Sequence, residues 1–173
     1  MKYFIGNWKM FGVPKSISII NKINFFVKKD KNRNKYRVVL TPPYTLIETF
    51  AKYFKNKLVS IGAQNCFHKD LFSSNTGAIS PYMLKQIGSK YIIIGHSDNR
   101  SEGDSDQMLK DKLRFALMNN MKVIFCIGEN KKQKKNKQTF SVLKKQLLGC
   151  LLYTSDAADD SLRVDLGGRR IIK

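Results

Sequence analysis

Apolar residues along this chain switch repeatedly between two periods. Short runs with almost no alternation, such as Tyr91-Ile92-Ile93-Ile94, give way to stretches in which apolar residues recur at helical spacing. The runs predict strands near 3–7, 37–40, 58–62, 90–94 and 121–127. The periodic stretches predict helices near 15–29, 44–54, 80–87, 104–119 and 138–148. Ile19, Ile20, Ile23, Phe26 and Val27 fall on one face of the first helix, and Leu109, Leu113, Ala116 and Leu117 on one face of the fourth. Thr41-Pro42-Pro43 stops the second strand, because proline has no ladder donor. Pro14 and Pro81 sit near helix starts, where a missing N–H costs least. Strands apolar on both sides predict a parallel sheet covered by helices. Five strand–helix units therefore predict an α/β fold, an incomplete (β/α) barrel, since closure takes eight units and usually ~250 residues.

The strand ends carry the candidate chemistry. In parallel α/β proteins ligands bind at the carboxyl ends of strands. Here those ends read Gly6-Asn7-Trp8-Lys9, Gly62-Ala63-Gln64-Asn65, Gly95-His96-Ser97-Asp98 and Cys126-Ile127-Gly128-Glu129. Ser97 and Asp98 look like the cap of a helix that follows His96. His68, in the loop before Asn75, has no such setting and is read as a surface residue.

Composition changes the picture little. A formal net charge of +19 raises the alternative of a basic nucleic-acid-binding domain. Before residue 150, however, the only arginines are Arg33, Arg37, Arg100 and Arg114, and base and phosphate readers favour arginine's planar fork. The lysines are spread among many asparagines and isoleucines, as codon drift in an AT-rich genome would leave them, so no specific nucleic-acid partner is expected. The densest cluster, Lys131 to Lys137, is read as a solvated loop and helix start. No apolar run approaches the ~20 residues of a membrane span, and no secretory leader or membrane partner is expected. Cys66, Cys126 and Cys150 lie far apart and give no metal spacing, so no metal is expected and a reducing cytoplasm fits.

Character changes after Leu148. Lysine and asparagine nearly vanish from residues 150–173. Cys150 to Asp159 resembles a translated sequencing-library transposon adapter, and Val164 to Ile172 the translation of a second library adapter. Residues 1–149 are therefore read as the fold, and 150–173 as a non-native, disordered tail with no reason to pack.

The Asn7-Trp8-Lys9-Met10, Gly95-His96-Ser97 and Cys126-Ile127-Gly128-Glu129 segments, with Gly62 to Asn65 and Thr76 to Ser80 between them, jointly resemble triosephosphate isomerase from residue 1 to about 148. The resemblance implies a partial TIM (β/α)8 barrel. It implies a parent enzyme of glycolysis and gluconeogenesis, a cofactor-independent homodimer acting on triose phosphates through an enediolate. His96 would be the electrophile, a neutral imidazole at a helix N-terminus that polarises the carbonyl. Lys9 would supply positive charge to the enediolate and phosphate, and Asn7 a hydrogen bond. Asn75 and Thr76 would belong to a dimer loop reaching towards the neighbour's Asn7–Lys9 region. Asp98 and Asn99 depart from the family's commoner glutamate and arginine, which puts the shorter Asp98 side chain's reach to a partner near Lys9 in question. Arg100 and Glu129 are read as structural members of ion pairs. The family's base glutamate, lid and glycine-rich phosphate loops follow strands six to eight, and nothing after Leu148 matches them, so this chain is expected to be inactive.

Overall fold

A computed structural model describes residues 1–53, 58–151 and 162–166. The first strand, β1 (Lys2–Asn7), leads through a 3-10 turn at Pro14–Ser16 into α1 (Ile17–Lys29). Next come β2 (Tyr36–Thr41), α2 (Tyr44–Tyr53), β3 (Val59–Ala63), α3 (Pro81–Gln86) and β4 (Tyr91–Ile94). The chain continues with α4 (Ser97–Ser101), α5 (Asp106–Met118), β5 (Lys122–Ile127), α6 (Lys131–Lys135), α7 (Thr139–Leu151) and β6 (Leu162–Leu166). The strands lie in one sheet in sequence order, each parallel to its neighbours. This is the open part of a (β/α) barrel expected from the periodicity.

Local chemistry accounts for the boundaries. Pro81 is the first residue of α3, and the Ser80 hydroxyl before it accepts the Met83 N–H at 3.2 Å. Ser105 caps α5 in the same way through the Met108 N–H, so this helix starts later than the predicted 104. The short helices α4 and α6 are each a single turn or so, too brief for periodicity to define their extent. Residue 54, predicted as the end of the second helix, lies outside the described residues.

Two apolar layers form because the strands are apolar on both sides. Val38, Leu40, Ile92, Ile94, Val123 and Phe125 belong to the larger cluster, with Ile20, Phe50, Leu109 and Leu113 of the helices. Val39, Tyr91, Ile93 and Ile124 form a second cluster with Tyr3 and Cys126, on the concave side of the sheet. Gly62 is required between them: a Cβ there would lie 2.9 Å from Tyr91 Cβ and 3.0 Å from Thr41 Cγ2.

The structure departs from the expected tail at two places. Helix α7 runs on to Leu151, and Leu162–Leu166 pairs with β5 from Val123↔Leu162 to Ile127↔Leu166. Leu-Arg-Val-Asp-Leu alternates apolar and charged residues, the strand period, and β5 offers it an open edge. The remainder of the expected tail, 152–161 and 167–173, lies outside the described residues.

Phe50 is fully buried, and its ring meets Trp8 edge-on at 5.7 Å, linking the outer layer to the loop after β1. Phe50→Ala is expected to cost about 3–5 kcal/mol. In a domain of ordinary stability, ~5–15 kcal/mol, that removes much of the cooperative urea transition. The exposed Phe140→Ala should shift it by no more than about 0.5 kcal/mol.

Candidate active site

A parallel ladder puts every strand's carboxyl end on one rim, and the site grows from there. At the end of β1 the Asn7 side chain accepts the Lys9 N–H at 2.9 Å, folding the backbone tightly back. Lys9 itself is left-handed, with φ 52°, a conformation disfavoured for a residue with a Cβ. Gln64, just past β3, stabilises this turn. Its amide nitrogen donates to the Lys9 carbonyl and to the Thr41 carbonyl, both at 2.8 Å. The Trp8 N–H donates to the same Thr41 carbonyl at 3.1 Å. Strain at Lys9 is thus opposed by directed bonds from three strand ends, as at many functional sites.

At the end of β4, Gly95 has φ 77°, and a Cβ would lie 2.8 Å from the Arg100 guanidinium and 2.9 Å from the Cys126 carbonyl. Glycine is needed there for both reasons. His96 follows, and the cap of α4 is His96 itself, not Ser97 or Asp98 as expected. Its Nδ1 accepts the Asp98 N–H at 3.2 Å. With Nδ1 as the acceptor, Nε2 is the ring nitrogen left to donate. An Asp98 carboxylate oxygen also lies 3.5 Å from Nδ1.

That same carboxylate oxygen is 2.8 Å from the Lys9 ammonium. The short aspartate therefore spans the gap, correcting the doubt about its reach: the left-handed turn at Lys9 and the helical turn after His96 bring the two together. The Lys9 hydrogen bond holds the Asp98 carboxyl below its ordinary value of 3.8, outweighing the opposite pull of desolvation.

Lys9, His96 and Asp98 line a cleft of about 790 Å3 that runs past Cys126 to Glu129. Asn7, Lys9, Met10 and His96 line an adjoining hollow of about 460 Å3. Arg100 ties β4 to β5, donating to the Gly95 carbonyl at 2.8 Å and the Cys126 carbonyl at 3.2 Å. Its ion pair is a long one, 3.8 Å to Asp106. Glu129 accepts the Thr139 hydroxyl at 3.3 Å and has no ion pair among the described residues, so its expected role is corrected. Gln146 of α7 grips Gly128 from both sides, accepting its N–H at 2.9 Å and donating to its carbonyl at 3.0 Å.

Asn75 and Thr76 do not line the cleft. Asn75 accepts from Lys69 Nζ and Ser73 Oγ, both at 3.1 Å, and shapes its own loop; Thr76 is exposed. His68, read as a surface residue, is half-buried, its ring centroid 4.2 Å from that of Phe67. Gln64 stood among the strand-end residues of the sequence without a role of its own, and Gln146 and the buried Lys112 were not singled out. Lys112 Nζ meets both Asp104 oxygens at 2.6 and 2.7 Å and Asn65 Oδ1 at 3.0 Å, beside the hollow that Asn65 lines. The available signal was position, since Gln64 and Asn65 directly follow an apolar strand. Cys66 behind them is buried, which pushes its thiol up to about 12 and leaves it inert packing. Among the described residues no three His, Cys, Asp or Glu side chains group to hold a metal, and no helix is long and apolar enough to cross a membrane.

Against known proteins, residues 2–163 match the family model for triosephosphate isomerase. The chain is 38% identical to triosephosphate isomerase of Alkaliphilus oremlandii over 146 residues, covering 83% of this chain and 57% of that protein. It is 36% identical to triosephosphate isomerase of Herpetosiphon aurantiacus over 148 residues, covering 84% of this chain and 58% of that one. The crystal structure of triosephosphate isomerase from Bartonella henselae superposes with a TM-score of 0.85 at 28% identity, over 94% of this chain and 66% of that chain. The chain thus spans less than two thirds of these relatives. None of these matches supports the nucleic-acid-binding alternative.

A lowered carboxyl pKa means that the Lys9–Asp98 link contributes fully above pH 3.8 and is lost as pH falls through the folded value. Carbon-detected NMR should find Asp98 titrating below 3.8, and Lys9→Met should move it back up. An Asp98 midpoint indifferent to Lys9→Met would remove the link from the site.

Proposed function

This chain belongs to the triosephosphate isomerase family, and we propose that it is the amino-terminal part of an enzyme interconverting dihydroxyacetone phosphate and glyceraldehyde 3-phosphate. One observation carries the reading: His96, whose Nδ1 accepts the Asp98 N–H at 3.2 Å, shares a cleft with the Lys9 ammonium. The reaction moves a proton between adjacent carbons. A base takes it from the carbon beside the carbonyl, an enediolate forms, and the proton returns to the neighbouring carbon. Nε2–H of His96 would donate to the carbonyl oxygen as negative charge gathers there, and Lys9 would neutralise the enediolate and the phosphate. Asn7 shapes the Lys9 turn, which leaves its amide nitrogen for a ligand. Nothing in this scheme requires a cofactor.

The carbon base is not assigned. Asp98 is engaged by Lys9, and Glu129 by Thr139. We read residues from about 150 as adapter-derived, on the composition break there, with β6 as an incidental pairing on an open edge. The chain alone then lacks base, lid and phosphate loops, and with them most of the substrate positioning. The parent protein is read as a cytoplasmic homodimer. Exposed Met10 and Phe11 beside the cleft, with exposed Leu71 and Phe72 in the Asn75–Thr76 loop, are what such a pairing would cover.

The test is triose phosphate interconversion by the chain as given and by a graft that continues a relative's sequence after Leu148. The ungrafted chain should be inactive and the graft active. His96→Ala in the graft should cost about 10²–10³-fold, as for loss of one donor to the developing oxyanion. Turnover by the ungrafted chain that is lost with Asp165→Asn, the residue opposite Cys126 in the β5–β6 register, would overturn the reading of the tail. A graft indifferent to both His96→Ala and Lys9→Ala would overturn the site.

A further inference from the structure

Between Glu129 and Asp156 the chain carries seven lysines and no acidic residue. Lys131, Lys132, Lys134, Lys135 and Lys137 are exposed on α6 and in the turn after it. Lys144 and Lys145 are exposed on α7. Among the described residues none of the seven forms an ion pair. Elsewhere lysines meet carboxylates, as Lys52 meets Glu48 and Lys112 meets Asp104. Glu129, the nearest carboxylate in sequence, accepts the Thr139 hydroxyl instead. Charge of one sign is thus concentrated here without compensation, and it raises a strong local field.

The lysines sit on a fixed corner. The Asn130 side chain accepts the Gln133 N–H, and the Gln133 side chain accepts the Asn130 N–H, both at 2.9 Å. Lys137 is left-handed, with φ 55°, and the Gln138 N–H returns to the Gln133 carbonyl at 2.9 Å. Gln146 ties the following helix to Gly128. A surface ordered beforehand loses less freedom when it binds. One apolar side chain stands among the charges. Phe140, in the first turn of α7, is 79% exposed, although Leu143 and Leu147 of that helix pack against the core. Lys144 lies one helical turn beyond it, and Lys137 three residues before it.

An occupant of this corner is anionic and accepts an aromatic ring. Nucleic acid meets the first demand, but the corner holds no arginine, whose fork suits phosphates and base edges. It also offers one ring, where single strands stack successive bases on several. A bilayer surface asks for less particular geometry. Clustered lysines are drawn to anionic headgroups as point charges, and an apolar side chain enters the acyl boundary. Stable attachment takes two such signals together, and it needs no spanning helix. We infer that the α6–α7 corner, with its lysines around Phe140, is a peripheral docking surface for an anionic membrane. The inference does not depend on the isomerase reading.

The experiment floats the full 173-residue chain with vesicles on a density gradient, where aggregated chain sinks and is not counted. The vesicles are phosphatidylcholine alone, or phosphatidylcholine with about 30% phosphatidylserine, the lipid that gives cytoplasmic leaflets their negative potential. The chain should float with the anionic vesicles only, and less so as salt rises. Changing Lys131, Lys132, Lys134 and Lys135 together to glutamine should weaken binding by about a hundredfold or more, at about fivefold per lysine. Phe140→Ala should weaken it about tenfold. Changing the exposed Lys15, Lys22, Lys28 and Lys29 to glutamine removes the same charge at and before α1. That should change binding little, because screening confines each charge to ~8 Å. All these side chains face water, so far-ultraviolet dichroism of the variants should match the parent, which separates lost docking from lost folding. An equal loss from the second set of four would overturn the inference, since net charge alone would then explain it. So would flotation with neutral vesicles, or binding indifferent to Phe140→Ala. Polyuridylate bound more tightly than the anionic vesicles, and released by the α6 substitutions, would assign the corner to nucleic acid instead.

Discussion

Everything functional here depends on the parallel register of the sheet. Gly6 pairs with Leu40, and Asn7 with Thr41, while Ile94 pairs with Phe125. All strands run the same way, so Asn7, Gln64, His96 and Gly128 leave their strands on one side although long helical segments separate them in sequence. An antiparallel neighbour would have sent one of these groups to the far rim. The register also sets the rows of side chains, and these bury most of β2 to β5 on both faces, while Phe4 and Ile5 of β1 stay exposed.

On that rim the decisive contact is the one between Lys9 and Asp98. A lysine on a flexible four-carbon stem is a poor positioning device. Three things restrict it here. Asn7 and Gln64 hold its backbone left-handed, and Asp98 receives its ammonium at 2.8 Å. Asp98 in turn donates its backbone N–H to His96, so one residue orients both candidate catalytic groups. The bond to Lys9 is half exposed, and its stabilising value is small. Its importance is geometric.

The fold was legible because its signals are local. Four apolar residues before Gly95, and heptad-like apolar faces on α1 and α5, state strand and helix without help from tertiary context. The site was half legible. His96 and Lys9 could be found at strand ends, but the reach of Asp98 could not. It depends on φ 52° at Lys9 and on the spacing of β1 and β4, and neither is written in neighbouring residues. What Gln64 does was hidden for the same reason, since its two acceptors lie 55 and 23 positions away. Strand β6 escaped because composition argues about origin, whereas strand pairing asks only for alternation and an open edge.

The abundance of lysine shows where composition stops and structure takes over. Solvated lysines are cheap on an outer helical face, and the fold tolerates them there in number. Burial is another matter. Of the described residues only Lys112 is a buried lysine, and it has three acceptor oxygens, two on Asp104 and one on Asn65. Removing one partner of such a pair leaves an uncompensated charge, which is far more costly than the pair is stabilising. Arg100 marks the second limit. Its planar fork reaches the Gly95 and Cys126 carbonyls at once, joining two strand ends, and a lysine ammonium has no fixed fork with which to do so. A bias towards lysine can therefore spread over this surface, but at these two positions desolvation and donor geometry decide the residue.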